Sequence, residues 1–254
     1  MDFEWDEISH VTKVDPAKPM PADPTILAGT DLVLVGGSDT VSEANTLAAI
    51  EAVRQHAPDV PVAQEPYDGE HVSSKTIAAT DWLAIPAVYN GNRDHFVGKH
   101  LDVFATIASA PARSRGVNVP LFGKYLESKG TAAVGELARS IVGEGYVIQH
   151  LDSAAARTAG VERALSADEV AGAAMATEHY YGFPIFYVEY SGTYGGPADI
   201  EAAATFLEET VLLYGGGIDS REKADEILAA GADAIVVGDC FHEDPAAFER
   251  TIPP

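Results

Sequence analysis

The densest group of reactive side chains in the sequence is the stretch YVEYSGTYGG at residues 187–196. It continues an apolar run typical of a β-strand, and side chains alternate along a strand, so Tyr187 and Glu189 share one face. Burying a carboxylate is costly unless it meets a cation, hydroxyl groups or a metal ion. A salt bridge to a lysine inside the fold would satisfy Glu189, but we favour contact with the hydroxyl groups of a substrate.

A cation and a carboxylate stand two residues apart in the stretch HVTKVDP at residues 10–16. On an extended strand Lys13 and Asp15 point to the same side, where they can bind an anion and a hard metal ion next to each other. The stretch VGGS at residues 35–38 adds the hydroxyl group of Ser38. Mg²⁺ usually takes only one or two protein oxygens, so Asp15 and Ser38 are predicted to hold it. The structural alternatives are a surface ion pair between Lys13 and Asp15 and a helix cap at Ser38.

Glycines gather after the last two apolar runs, as GGG at residues 215–217 and as Gly238 before Asp239. Glycine lets backbone N–H groups approach an anion closely, and a helix N-terminus adds partial positive charge. Three glycines in a row also suit a tight turn. Two clusters after the last two strands of a barrel predict a phosphate site instead.

Eight short apolar runs alternate with helical patterns along the whole chain. Most are continuously apolar, as expected for parallel strands that are covered on both faces. The alternation predicts a single-domain (β/α)₈ barrel over residues 1–254, with an open doubly wound sheet as the alternative. In a barrel the carboxyl ends of the strands meet at one mouth, where the groups above would converge. The predicted strands are Ile8–Val14, Leu32–Val35, Val60–Glu65, Leu83–Val88, Tyr146–Gln149, Ile185–Glu189, Val211–Tyr214 and Ala234–Val237.

Helices between these strands carry recognisable ends. Apolar residues at three- and four-residue spacing predict a helix over Thr40–His56. Three further helix starts have caps or a first-turn proline: Ser166 with Glu169 for a helix that ends at Gly182, Ser220 before Arg221–Ala230 with Gly231 after it, and Asp244 with Pro245.

Two stretches are predicted to be irregular. Residues 16–24 contain four prolines and should form a loop rather than a full first helix. Residues 89–145, between the fourth and fifth strands, are too many for one turn and one helix and predict an elaborated connection.

The charge of the chain restricts its partners and surroundings. Its 39 Asp and Glu outnumber 16 Lys and Arg, for a formal net charge of −23 at pH 7. Nucleic acid is disfavoured as a partner, because each phosphate contact needs a cation. We interpret the acidic surface as halophilic, an adaptation to a cytoplasm rich in salt; a merely acidic mesophilic protein is the alternative. No apolar run could span a bilayer, the first residues are acidic, and the only cysteine is Cys240, so a cytoplasmic protein is expected.

Taken together, the motifs resemble the geranylgeranylglyceryl phosphate synthase family of archaea. The matching stretches are residues 10–16, 36–38, 187–195, 214–218 and 236–239. The resemblance implies a Mg²⁺-dependent prenyltransferase of phospholipid biosynthesis. It would join geranylgeranyl diphosphate to the C3 hydroxyl of sn-glycerol 1-phosphate, the first ether step toward archaeal membrane lipids. The glycerol phosphate site implied by the matching motifs consists of Lys13, Tyr187, Val188, Glu189, Tyr190, Ser191, Gly192, Gly217, Gly238 and Asp239, with Asp15 and Ser38 for Mg²⁺.

In such a reaction Tyr187 and Glu189 would orient hydroxyl groups, and Glu189 would accept the proton. The prenyl tail needs an apolar groove from the third to fifth strands, for which Phe96 and Tyr89 are candidates. A homodimer and transient contact with a membrane surface as the lipid product leaves are also implied. One departure stands out: the family usually has Asn where this chain has Asp239, so its carboxylate would have to point away from the phosphate.

Three other readings stay open at this point. The first is a heptaprenylglyceryl phosphate synthase, which differs in the length of the prenyl tail. The second is a phosphoribosyl isomerase-like barrel, which needs a carboxylate pair such as Asp15 and Asp152. The third is a barrel that binds a phosphorylated ligand without turnover.

Overall fold

A computed structural model describes residues 5–92 and 140–253. Eight parallel strands pair in chain order, and β1 also pairs with β8, so the sheet closes into a barrel. This confirms the (β/α)₈ prediction and excludes an open sheet. The strands are β1 (His10–Val14), β2 (Leu32–Val35), β3 (Val62–Gln64), β4 (Trp82–Val88), β5 (Ile141–Ile148), β6 (Ile185–Glu189), β7 (Val211–Gly215) and β8 (Ala234–Val237).

The helices of the described residues follow the strands and cover the outside of the barrel. They are α1 (Glu43–His56), α2 (Ser74–Ala79), α3 (Ala154–Ala159), α4 (Ala167–Ala176), α5 (Ala198–Ala204), α6 (Arg221–Ala229), α7 (Asp239–Glu243) and α8 (Pro245–Thr251). Short 3₁₀ segments form at Trp5–Glu7, Pro24–Gly29 and Gly69–His71, and a π-helical turn at Thr177–Tyr181 continues α4.

The core has two layers separated by the sheet. Residues such as Phe186 and Tyr214 face outward and pack against the helices, while Val11, Leu34 and Leu213 face inward and fill the barrel. Both layers are apolar because each strand is covered on its two faces, which explains the continuous apolar runs in the sequence. The inward layer ends at the mouth, where polar side chains replace apolar ones.

The predicted caps are present where the sequence placed them. Ser166 and Glu169 form a capping box, and the Ser220 side chain accepts a hydrogen bond from the backbone of Lys223. Asp244 caps α8, with Pro245 as its first residue. The first helix begins later than predicted, at Glu43, because Ser42 rather than Thr40 acts as its cap. Residues 16–23 form no helix, as their prolines predict.

The fifth strand departs most from its prediction. It begins at Ile141 rather than at Tyr146. Its first half contains Gly143 and Gly145, which lack strand propensity. These glycines are needed because the ring of Phe183 and the hydroxyl group of Thr177 lie directly against the outer face of the strand, where a Cβ atom would clash. Most of the predicted connection over 89–145 lies outside the described residues.

Within residues 5–92 and 140–253, none of the helices combines the length and the apolar composition needed to cross a bilayer.

Candidate active site

A cavity of about 840 Å³ opens at the carboxyl ends of the strands. This volume lies in the range of small-molecule sites, and the position is where barrel enzymes bind their substrates. Every strand of the barrel or the loop after it contributes to the wall. The cavity has a charged floor, a glycine-rich side, an oxygen-rich edge and an apolar wall.

Lys13 and Glu65 form an ion pair on the floor of the cavity. The side chain of Lys13 is 18% exposed and that of Glu65 is 8% exposed, so both are largely removed from water. Burial lowers the pKa of Lys13, but the negative charges of Glu65 and Glu189 outweigh it and raise the pKa above its ordinary value. Lys13 therefore remains a cation at the bottom of the site, able to meet an anion.

Glu189 lies beside this pair at the end of β6. Its carboxylate accepts a hydrogen bond from the hydroxyl group of Ser191. Burial raises the pKa of Glu189, and Lys13 opposes that shift. A carboxylate with a raised pKa is a better proton acceptor near neutral pH than an ordinary glutamate. Tyr187 lies one layer below on the same face, with a raised pKa caused first by burial, so its hydroxyl group stays protonated and can donate a hydrogen bond.

A third carboxyl group, Glu144 of β5, is fully buried beneath the floor. Neither of its oxygens has a hydrogen-bond partner among the residues that the structure describes. Burial, followed by the negative charge of Glu65, raises the pKa of Glu144 well above its ordinary value. Burial thus favours the neutral acid form of Glu144, which would limit the negative charge inside the barrel.

The glycine-rich side is formed by two loops that touch through their backbones. Gly192, Gly216 and Gly217 all have positive φ angles, of 76°, 141° and 61°. A Cβ atom at Gly217 would lie 2.5 Å from the backbone nitrogen of Tyr194, so only glycine fits there. Gly238 completes this side next to Lys13, whose Cβ lies 3.4 Å from the position that a Cβ of Gly238 would occupy. Residues 192, 217 and 238 therefore form a cradle beside the Lys13 cation, which we call the glycine cradle.

Ser191 adds strain to the same loop, because it has a positive φ of 23° without being glycine. Its backbone carbonyl accepts a hydrogen bond from Nδ1 of His150 at 2.7 Å. Strained backbone is maintained when its surroundings over-determine it, and it is common at functional sites. The turn leads the chain from Glu189 to Gly192 of the glycine cradle.

The oxygen-rich edge lies after β1 and β2, and β1 is the neighbour of β8, which leads into Gly238 of the cradle. The Asp15 carboxylate packs against Gly37, where a Cβ atom would lie 2.5 Å from Oδ1. Asp15 and Ser38 both line the cavity. Asp15 Oδ1 also accepts the N–H of Ala17 at 2.9 Å, and Thr158 donates to the carbonyl of Ser38 at 3.3 Å. The Asp15 carboxylate is thus fixed, Ser38 follows the glycine against which it packs, and both side chains offer the hard oxygen donors that Mg²⁺ prefers.

A wider set of protein ligands is absent from the part of the chain that the structure describes. It contains no group of three or more His, Cys, Asp or Glu side chains arranged to hold a metal ion. Mg²⁺ does not need one, since water and substrate phosphates normally complete its coordination.

The apolar wall is formed by β4, β5 and α3. Its residues are Pro86, Val88, Tyr146, Ile148, Ala155 and Ala159. Small side chains on α3 leave space between that helix and the strands, so an aliphatic chain could lie along this wall.

A second lysine, Lys18, lies at the rim near β8. Its amine contacts Oδ1 of Asp239 at 2.6 Å and Oε1 of Glu243 at 3.1 Å. Asp239 is one of the residues that line the cavity. Its Oδ2 lies 3.4 Å from the position that a Cβ of Gly192 would occupy.

Comparison with known proteins shows the family to which the chain belongs. A model of the PcrB family matches residues 3–253. The chain belongs to the PcrB family. The geranylgeranylglyceryl phosphate synthase of Methanospirillum hungatei JF-1 is 32% identical to it over 247 residues, covering 96% of this chain and 94% of the relative. The heptaprenylglyceryl phosphate synthase of Geobacillus kaustophilus is also 32% identical, covering 96% of this chain and 89% of the relative.

The fold of this PcrB family member is similar to solved structures. A crystal structure of (S)-3-O-geranylgeranylglyceryl phosphate synthase from Thermoplasma acidophilum, in complex with sn-glycerol-1-phosphate, superposes with a TM-score of 0.71. It is 22% identical and covers 97% of this chain and 91% of that chain. At this identity the likeness concerns the barrel architecture.

Most of the residues predicted from the sequence of this PcrB protein meet in the cavity. Two do not place their side chains there. Val188 is fully buried in the outer layer, and Tyr190 turns outward to donate a hydrogen bond to Asp199 at 2.7 Å. Those that line the cavity are Lys13, Asp15, Ser38, Tyr187, Glu189, Ser191, Gly192, Gly217, Gly238 and Asp239.

The prediction of the groove residues fared less well. Tyr89 lies on the outer side of β4, where its ring stacks on Tyr181 at 5.6 Å and its hydroxyl group bonds to Thr177. It therefore does not face the cavity, and Phe96 lies outside the described residues. Asp152, the partner that an isomerase-like site would need, is exposed and does not converge with Asp15.

Three polar residues of the site were missed from the sequence. Glu65 comes directly after β3, and Glu189 is the last residue of β6, so the argument used for Glu189 could have found Glu65 as well. Glu144 is hidden between two glycines, and nothing in its neighbourhood indicates a strand. Lys18 lies in a proline-rich loop, and only the closed barrel brings it to Asp239.

Proposed function

We propose that this PcrB-family protein is a prenyltransferase that joins geranylgeranyl diphosphate to the C3 hydroxyl of sn-glycerol 1-phosphate. The observation that carries the proposal is a single cavity in which the Lys13 cation and the glycine cradle face a proton acceptor and an apolar wall. A small phosphorylated polyol fits the first half of this cavity, and an isoprenoid chain fits the second.

In the proposed reaction the phosphate of the glycerol substrate is bound by Lys13 and the glycine cradle. Tyr187 and Glu189 hold the hydroxyl groups, which brings the C3 oxygen close to C1 of the prenyl chain. That oxygen forms the ether bond as the bond between C1 and the diphosphate breaks. The hydroxyl proton passes to the Glu189 carboxylate, and the diphosphate leaves.

Asp15 and Ser38 are the residues that would hold Mg²⁺. When bound, the ion would supply positive charge to stabilise the departing diphosphate. The proposal rests on the hydrogen bond that fixes the Asp15 carboxylate, on the place of both residues in the cavity lining and on their oxygen donors.

A heptaprenyl diphosphate is the second candidate for the prenyl donor. The relative from Geobacillus kaustophilus is named for that chain length and is as similar to this chain as the archaeal relative. Offering both donors in competition measures the preference.

The deciding experiment combines the purified protein with sn-glycerol 1-phosphate, geranylgeranyl diphosphate and Mg²⁺ in concentrated KCl, and detects the ether product by mass spectrometry. We expect product with sn-glycerol 1-phosphate and much less with its mirror image, sn-glycerol 3-phosphate. Binding of glycerol phosphate without any product, with either prenyl donor, would contradict the proposal and favour a non-catalytic binding barrel.

The resemblance also leads us to propose a cytoplasmic homodimer that touches the membrane surface transiently when it releases its lipid product. Light scattering tests the dimer, and sedimentation with anionic and neutral vesicles, with and without product, tests the contact.

A further inference from the structure

The cavity has a charge balance that does not suit its proposed substrates. Eight carboxylates line it against two lysines, Lys13 and Lys18, among the described residues. Both proposed substrates are phosphorylated and negatively charged. Each lysine at the cavity must therefore contribute strongly to whether an anion can enter.

The two lysines contact different groups. Lys13 is paired with Glu65 on the floor, next to Gly238. Lys18 reaches the rim from the loop after β1 and contacts two carboxylates of α7, Asp239 and Glu243. Burial lowers the pKa of Lys18, but its hydrogen bonds with Asp239 and Glu243 raise it overall, so the amine is a full positive charge.

Asp239 places a carboxylate beside the glycine cradle, because its Oδ2 borders Gly192. A phosphate in that cradle would lie between the Lys13 cation and the Asp239 anion. Two like charges at short range repel each other, and the repulsion grows as the local dielectric constant falls. Asp239 would therefore oppose binding unless its charge is neutralised.

We propose that Lys18 is a positioning residue for the phosphate of the substrate, because it neutralises Asp239 and holds that carboxylate at the rim of the cavity. The inference rests on the proposed function for the identity of the phosphorylated ligand. It assigns Lys18 no direct contact with the phosphate. Its effect passes through Asp239, and that makes the assignment testable.

A double-mutant cycle measures this dependence. Titration calorimetry follows the binding of sn-glycerol 1-phosphate to the wild type, Lys18→Met, Asp239→Asn and the double variant. We expect Lys18→Met to weaken binding on the order of tenfold in the wild-type background. In the Asp239→Asn background, where no carboxylate remains to be neutralised, the same change should weaken binding by less than about threefold.

Two control variants sharpen the result. Lys18→Arg keeps the positive charge and should restore binding to within about threefold of the wild type. Glu243→Gln removes the other partner of Lys18, which does not border the glycine cradle, and should have little effect. Equal weakening by Lys18→Met in both backgrounds, or no weakening in the wild type, would overturn the proposal.

Inorganic phosphate serves as a second ligand in the same cycle. Should the protein form no ether product but bind phosphate with the expected dependence on Asp239, the proposed function fails while the role of Lys18 stands. Should it form the ether product while the cycle shows no coupling, the role of Lys18 fails and the proposed function stands.

Discussion

At the scale of single residues, the site depends on a few charges that the barrel holds out of water. Lys13 faces Glu65 and Glu189 inside the mouth, and Asp15, which directly follows the same strand, lines the same cavity. Removing one of these charges leaves its partners buried and unbalanced, so substitutions that preserve size are the most informative.

The first residue-scale prediction concerns the metal. Asp15→Asn keeps the size of the side chain but removes its charge, so it should lower turnover by at least about 100-fold while leaving the fold intact. Steady-state rates across a Mg²⁺ titration and a thermal melt measure both effects. Asp152→Asn is the matched control, since Asp152 is exposed and lies away from the cavity. A variant at residue 15 with the Mg²⁺ dependence of the wild type would show that Asp15 is not the ligand.

The second concerns the proton acceptor. Glu189→Gln can still accept hydrogen bonds from hydroxyl groups but takes no proton, so kcat should fall about 100-fold or more with a smaller change in KM. In the wild type, kcat should decline as the pH falls through the pKa of Glu189, which burial raises above the ordinary glutamate value. That acidic limb should vanish in the variant. If kcat and KM both shift modestly and the limb persists, Glu189 only orients the substrate.

At the scale of secondary-structure elements, α3 forms the side of the cavity that faces β4 and β5. Ser153 caps this helix, and Gly160 ends it with a φ of 64°. Its residues that line the cavity are three alanines and Thr158, so the width of the groove depends on the absence of larger side chains.

Enlarging one of those alanines should therefore block the prenyl donor. Ala155→Phe is expected to raise KM for geranylgeranyl diphosphate roughly tenfold, because the new ring must be accommodated against β5. KM for sn-glycerol 1-phosphate should stay within about twofold, since the glycine cradle is on the other side. Ala167→Phe, on an exposed site of α4, is the control. An equal rise in KM for both substrates would place the groove elsewhere.

A second element-scale feature is the junction of β1 with the C-terminal helix. His10 is fully buried, with Nδ1 2.9 Å from the Thr30 hydroxyl oxygen and Nε2 3.0 Å from that of Thr251. Burial lowers the pKa of His10 from 6.5 to about 4.

The unfolded chain binds a proton at His10 more readily than the native protein does. The free energy of unfolding should therefore decrease as the pH is lowered from 6.5 to about 4. The contribution lost between pH 6.5 and about 4 is about 3 kcal/mol. Urea unfolding at a series of pH values gives the free energy of unfolding, which should depend less steeply on pH in His10→Gln than in the wild type. His179→Gln changes an exposed histidine and should follow the wild type. Parallel pH profiles for all three proteins would contradict the assignment.

At the scale of the whole molecule, the net charge of −23 dominates behaviour in solution. The range of electrostatic repulsion is about 30 Å at 0.01 M salt and about 3 Å at 1 M, so dilute buffer leaves the acidic surface unscreened. Dialysis to low salt should therefore unfold the barrel, with loss of the helical circular dichroism signal. Choline chloride should preserve the fold as well as KCl does, because screening depends on ionic strength and not on which ions are present. A melting temperature that is unchanged in dilute buffer would refute the halophilic interpretation.

The sequence alone determined the barrel and much of its mouth. Local rules were sufficient for this: continuous apolar runs mark covered parallel strands, and alternation places Lys13 with Asp15 and Tyr187 with Glu189. Glycine clusters after the last two strands located the cradle, and helix caps were found at Ser166, Ser220 and Asp244 because capping depends on only a few consecutive residues.

Only the tertiary structure decided how the charges are paired. Lys13 meets Glu65 across 52 positions of sequence, and Lys18 meets Asp239 across 221. Closing the barrel brings such residues together. Local sequence patterns do not show which residues far apart in the chain become neighbours. Glu144 could not be predicted for a similar reason. The glycines on either side of it allow Phe183 and Thr177 to pack against the strand, but they also remove the sequence pattern by which the strand would be recognised. A side chain that neutralises a charge far away in the sequence can be identified only after the closed barrel has placed the two residues next to each other.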